Sequence, residues 1–153
     1  MSMDCIVDAS VGIKLFLPEP GTEAAERIFA GLHENPPVRL YVPELFYVEC
    51  ANILWKHVRH FGYPIDDARD HLRDLRQLNL DVIATEALLP MAFDLALEYE
   101  MTVYDACYVA SAGLLELLLI TADQRLANKM KGSDIIVRSL EEALPPDHET
   151  QSP

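Results

Sequence analysis

Five short apolar runs recur along the chain, in "CIVDAS", "VRLYVP", "LDVIAT", "ELLLITAD" and "DIIVRS", and segments with helical spacing separate them. Runs that are continuously apolar rather than alternating belong to strands covered on both faces, so the fold class is α/β with a mainly parallel central sheet. The first run closes on a cap signal and feeds a helix in "VGIKLFL". A second helix covers roughly Thr22 to Leu32. Pro43 stops the second strand and suits the first turn of the helix "ELFYVECANILWKHVRHF", which ends near Gly62. Next come the charged helix "PIDDARDHLRDLRQLN", one around "ALLPMAFDLALEYE" with Pro90 tolerated only near its start, "TVYDACYVASAGLL", and one from Gln124 to Met130.

A length of 153 residues suits one domain, placed here at 1–144, while the tail "PPDHETQSP" at 145–153 has a disordered composition. The longest apolar stretch, Val109 to Ala122, is interrupted by Glu116, and the first residues lack a basic leader, so neither export nor a membrane span is expected. Cys5, Cys50 and Cys107 are odd in number and never paired as C-x-x-C, which argues against a disulfide framework or a zinc ribbon. A reducing, cytoplasmic compartment fits.

One aspartate, Asp105, sits in the otherwise apolar "TVYDACYVASA", and a carboxylate there needs a partner, a cap or a cation. Asp8 and Asp123 end strands, where an open α/β sheet places its ligand site. Each also reads as a helix N-cap, and Asp105 as the acid of a capping box begun by Thr102. Glu49 borders the apolar stripe of its helix, beside Leu45, Phe46, Asn52 and Ile53, and its bland reading is a surface residue at the stripe's edge. A hard divalent cation would account for all four acids through one cause, since such ions take oxygen ligands.

The fragments "IVDASV", "ELFYVECANIL", "TVYDACYVASA" and "LLLITADQRL", in this order, resemble the PIN domain family over nearly the whole chain, and within it the VapC-type toxins of toxin-antitoxin pairs. The resemblance implies a PIN-like three-layer α/β/α sandwich. It puts the acidic site on Asp8, Glu49, Asp105 and Asp123, with Ser10, Thr121 and Asn52 as polar support. It further implies Mg²⁺ or Mn²⁺ as cofactor, endonucleolytic cleavage of RNA leaving a 5'-phosphate and a 3'-hydroxyl, homodimerisation, and inhibition by a small antitoxin. Asp8, Asp105 and Asp123 would then be direct or water-bridged ligands, and Glu49 a ligand or the group that orients water.

Net charge opposes a nuclease reading: 25 acidic residues face 12 basic ones, a balance of -13. Setting aside the four site acids still leaves 21 against 12. Such a surface repels RNA unless cations line the cleft, and Lys14, Arg125 and Lys129 are the candidates by position. Arg69, Arg73 and Arg76 run beside Asp66, Asp70 and Asp74 and read as intrahelical ion pairs. His57 and His60 read as a polar C-terminal turn before a metal pair, and Cys50 and Cys107 as core fillers before nucleophiles. Trp55, Tyr47, Tyr104 and Tyr108 read as core or interface packing before base stacking. Two other functions compete. A phosphoacceptor receiver domain wants an acidic pair after the first strand and a lysine after the last, where this chain has Asp8 alone and Arg138. A catalytically silent interaction module on the same fold would not need all four acids.

Overall fold

The computed structural model describes residues 3–144, so the expectation for 145–153 lies outside the described residues. Its centre is a five-stranded, wholly parallel sheet in the order β3-β2-β1-β4-β5, built from β1 (Cys5–Val7), β2 (Leu40–Pro43), β3 (Asp81–Ile83), β4 (Leu118–Thr121) and β5 (Val137–Ser139). All five apolar runs form strands. Burial is continuous in β1 and nearly so in β2 and β4, whereas β3 and β5 leave Val82 and Arg138 exposed. The last two are edge strands with a neighbour on one side only, so full coverage fails there.

Helices α1 (Ala9–Gly12), α2 (Thr22–Ala30), α3 (Leu45–Phe61), α4 (Ile65–Gln77), α5 (Thr85–Tyr99), α6 (Val103–Leu115), α7 (Gln124–Lys129) and α8 (Leu140–Ala143) flank the sheet. Helix α6 is apolar nearly all round and lies across β1, β2 and β4, with α5 packed on it. A 3-10 turn (Ile13–Leu15) takes over where α1 ends, so "VGIKLFL" is two short pieces rather than one helix. Pro43 belongs to β2, paired with Ile83, and α3 starts only at Leu45, so Pro43 is not in the helix's first turn. Pro90 sits at the sixth residue of α5, past the first turn, a position at which it removes one helical hydrogen bond. Helix α3 ends at Gly62, whose φ of 66° places it in the left-handed region that favours glycine.

Two features fix the geometry on which the site depends. Strands β1 and β4 pair in register from Cys5↔Leu118 to Val7↔Ile120, and the Asp8 amide extends the ladder to the Ile120 carbonyl at 3.1 Å. The chain winds outward from β1 through β2 to β3, then returns to the other side of β1 as β4, so the strand order, with all strands still parallel, reverses between β1 and β4. Gly12 lets α1 lie directly on α3: a Cβ there would stand 2.6 Å from Cζ of the fully buried Phe46.

Candidate active site

The four acids come from four different elements, and they lie at the sheet's reversal point. Asp8 follows β1 and Asp123 lies two residues beyond the end of β4. Both are N-caps, so the bland readings hold as far as they go. Asp8 Oδ1 accepts from the Ser10 amide at 3.1 Å, and Asp123 Oδ1 accepts from the amides of Arg125 and Leu126 at 2.9 and 3.4 Å. Capping leaves lone pairs on both carboxylates and aims them out of the strand ends. Thr102 caps α6 through the Asp105 amide at 3.2 Å, which presents the Asp105 side chain in the helix's first turn.

Ser10 and Thr121 tie the pieces together. Thr121 Oγ1 donates to Asp8 Oδ2 at 2.8 Å and accepts from the Asp123 amide at 3.0 Å, while Ser10 Oγ accepts from the Ala122 amide at 3.0 Å. One hydroxyl therefore sets the position of two acids from neighbouring strands. Asn52 lies on the exposed side of α3 with no hydrogen bond to the acids among the described residues.

Exposure grades from floor to rim: Asp8 is 6% exposed, Glu49 and Asp105 are half-buried, and Asp123 is exposed. Burial pushes the Asp8 carboxyl up to about 6, against the lowering effect of its Ser10 and Thr121 hydrogen bonds, and the charges of Asp105 and Asp123 raise it further. Glu49 is pushed up to about 7, chiefly by burial and then by Asp8 and Asp105. Asp105 is also raised, by burial and by Asp123, with Thr102 and Lys129 working the other way. Asp8, Glu49 and Asp105 are thus all raised, by burial first and by neighbouring charge second, and these three resist full ionisation together.

Tyr108, on α6 three residues after Asp105, is the feature sequence reading missed. Its hydroxyl approaches Glu49 closely enough to temper that acid's rise. Even so, neither Glu49 Oε1 nor the Tyr108 hydroxyl, both buried, completes a hydrogen bond among the described residues. Two orphaned oxygens facing the acids are what a water or a cation would satisfy. An all-oxygen donor set suits a hard divalent ion. Among the described residues, no three acidic, histidine or cysteine side chains are drawn into a ready-made ligand set. An ion bound here would draw the acids inward or reach some of them through water.

The expected cationic rim divides. Lys14 is buried, with its ammonium 2.8 Å from Glu19 Oε1 and 2.8 Å from the Pro20 carbonyl, so its charge is spent within the protein. That corrects its placement as a phosphate contact. Arg125 and Lys129 line a cleft with Asp105 and Asp123, and Lys129 also donates to the Glu100 carbonyl at the end of α5. Arg69–Asp66 and Arg73–Asp70 are ion pairs at 3.0 and 2.7 Å, as expected. Tyr108 is wholly buried and cannot stack a base, whereas Trp55 and Tyr104 are exposed. All three cysteines are free and buried, and burial raises each thiol, which removes the nucleophile reading. Among the described residues, no helix is long and apolar enough to cross a membrane.

The family model described as PIN domain matches residues 5–131. The chain is 39% identical over 129 residues to Ribonuclease VapC3 of Pyrobaculum aerophilum, covering 83% of this chain and 95% of that one. A solved Pyrobaculum aerophilum structure aligns with a TM-score of 0.64 at 26% identity, covering 94% of this chain and 93% of that chain. The VapBC2 structure from Rickettsia felis, bound to a fragment of its promoter DNA, aligns at 0.66 with 12% identity over 90% and 98%, a likeness of fold. With four acids held at the β1–β4 reversal and a family match spanning most of its length, this chain belongs to the PIN domain family.

Proposed function

We propose that the protein is a divalent-metal-dependent endoribonuclease, the toxin of a type II toxin-antitoxin pair. The observation that carries this reading is the convergence of Asp8, Glu49, Asp105 and Asp123 from four elements, next to the orphaned Glu49 Oε1. Identity of 39% to a chain named a ribonuclease, across 95% of that chain, supports the substrate class. The four acids would hold Mg²⁺ or Mn²⁺, in part through water. Bound there, the ion supplies positive charge to the phosphate and acidifies nearby water. Asp8, fixed by Ser10 and Thr121, forms the floor of the site, and Asp105 and Asp123 its outer wall. Glu49, half-buried on α3, orients the attacking water. Arg125 and Lys129 receive the phosphates that flank the cleaved bond.

A small antitoxin is the proposed inhibitor, in keeping with a Klebsiella pneumoniae toxin-antitoxin complex of similar fold, at a TM-score of 0.60 and 18% identity. Leu89, Phe93 and Leu97 form an exposed apolar stripe on α5, with Tyr104 exposed on α6, and a homodimer would use this face. The cytoplasm is the proposed compartment. The test is RNA cleavage with added Mg²⁺ by wild type, Asp8→Asn and Asp105→Asn. Both substitutions are expected to lower the rate at least about a hundredfold. Wild-type rates in both variants would refute the site.

A further inference from the structure

Two small grooves flank Asp123, and it is the one residue that lines both. The first runs past Asp105, Arg125 and Lys129, the cationic side already described. The second runs from Ser10 and Ala122 between α1 and α3 to His57 and Ile53. Their volumes are 290 Å³ on the His57 side and 250 Å³ on the other.

His57 Nδ1 lies 2.9 Å from the Ile53 carbonyl, and a carbonyl only accepts, so Nδ1 carries the proton and the tautomer is fixed. Nε2 has no protein partner among the described residues. Contacts with the rings of Phe61 and Tyr63, at centroid distances of 5.4 and 6.5 Å, brace the imidazole. The one lysine or arginine in this groove, Lys14, is neutralised by Glu19. With Nδ1 carrying the proton, Nε2 is an acceptor turned to the groove, and it can pair with a base N–H or a ribose hydroxyl.

We propose that single-stranded RNA crosses Asp123 from the Arg125 side to the His57 side, and that His57 Nε2 holds the nucleotide beyond the cleaved bond on the second side. The proposal rests on the ribonuclease reading of the same site. It makes His57 a substrate-contacting residue, placed by its bond to Ile53.

The experiment uses a labelled oligoribonucleotide carrying the preferred site selected from a randomised pool, trimmed stepwise from each end. Wild type, His57→Ala, His57→Gln and Arg125→Ala are compared, with Mg²⁺ present. His57→Ala is expected to raise KM about tenfold with kcat nearly unchanged, the cost of one polar contact. His57→Gln, whose amide oxygen can accept where Nε2 does, is expected to restore KM. Trimming one end should erase the difference between His57→Ala and wild type while leaving the Arg125→Ala defect, and trimming the other end should do the reverse. A structural role would lower activity on every substrate alike. Wild type that cleaves while His57→Ala matches it on the full substrate, or is equally impaired on all trimmed ones, overturns the inference alone. Folded wild type that cleaves no RNA overturns the ribonuclease reading, and the inference with it.

Discussion

At the scale of residues, the site sets burial against charge. Asp8 keeps its proton to about pH 6 in the folded chain, whereas an unfolded aspartate loses it near pH 3.9. Between those values the native state binds the extra proton, so in chelator stability falls as pH rises through that window and stays low above it. The effect is about 2–3 kcal/mol for this one fully buried group. Asp8→Asn removes it, and Thr121 can accept from the new amide while donating to Ser10 Oγ, 3.5 Å away. The variant is expected to unfold at higher denaturant than wild type at pH 8, with the advantage gone below about pH 4, as urea titrations at the two pH values would reveal. Tyr108→Phe tests the orphaned hydroxyl. A buried hydroxyl without a partner costs about 1–3 kcal/mol, so its removal should leave metal-free stability equal or higher. A loss above about 1 kcal/mol in the same titration would mean that the hydroxyl is bonded after all.

At the scale of elements, short pieces do the positioning. Helix α1 holds four residues, and its place on α3 depends on Gly12. Gly12→Ala would push a methyl into Phe46, which is fully buried and has nowhere to move. Thermal unfolding should show a loss of about 1–3 kcal/mol, the cost of overpacking, and RNA cleavage should fall with it because Asp8 and Glu49 sit on the two elements forced apart. The five strands were legible because continuous apolar runs have few other uses, and the four acids because each stands where a strand ends or an apolar stripe should continue. Other features were not legible. The break between α1 and its 3-10 turn, and the start of α3 beyond Pro43, depend on packing against α3 and on pairing with β3, which no local pattern encodes. Lys14 looked like a free cation because Glu19 sits on a turn whose fold-back the sequence does not announce. Tyr108 looked like core because it is core, and only the approach of Glu49 gives its hydroxyl a meaning.

At the scale of the whole molecule, a chain with 25 acids against 12 bases is short of cations, and two of them stand at the cleft. Helix α4 neutralises Arg69 and Arg73 internally, Glu19 neutralises Lys14, and Arg125 and Lys129 remain beside the acids. General attraction for polyanions is therefore weak, and RNA binding must draw its strength from the cleft. The cleft's acids are open and mutually repelling without an ion, so a cation that gathers them must stabilise the fold. Thermal unfolding of wild type and Asp8→Asn, each in Mg²⁺ and in chelator, reads this directly. Saturating Mg²⁺ at about a hundred times its Kd should add roughly 2.7 kcal/mol, or roughly 5–10 °C in Tm, to wild type and little to Asp8→Asn. Equal shifts in both proteins, or none in wild type, would contradict a shared cation site at these four acids.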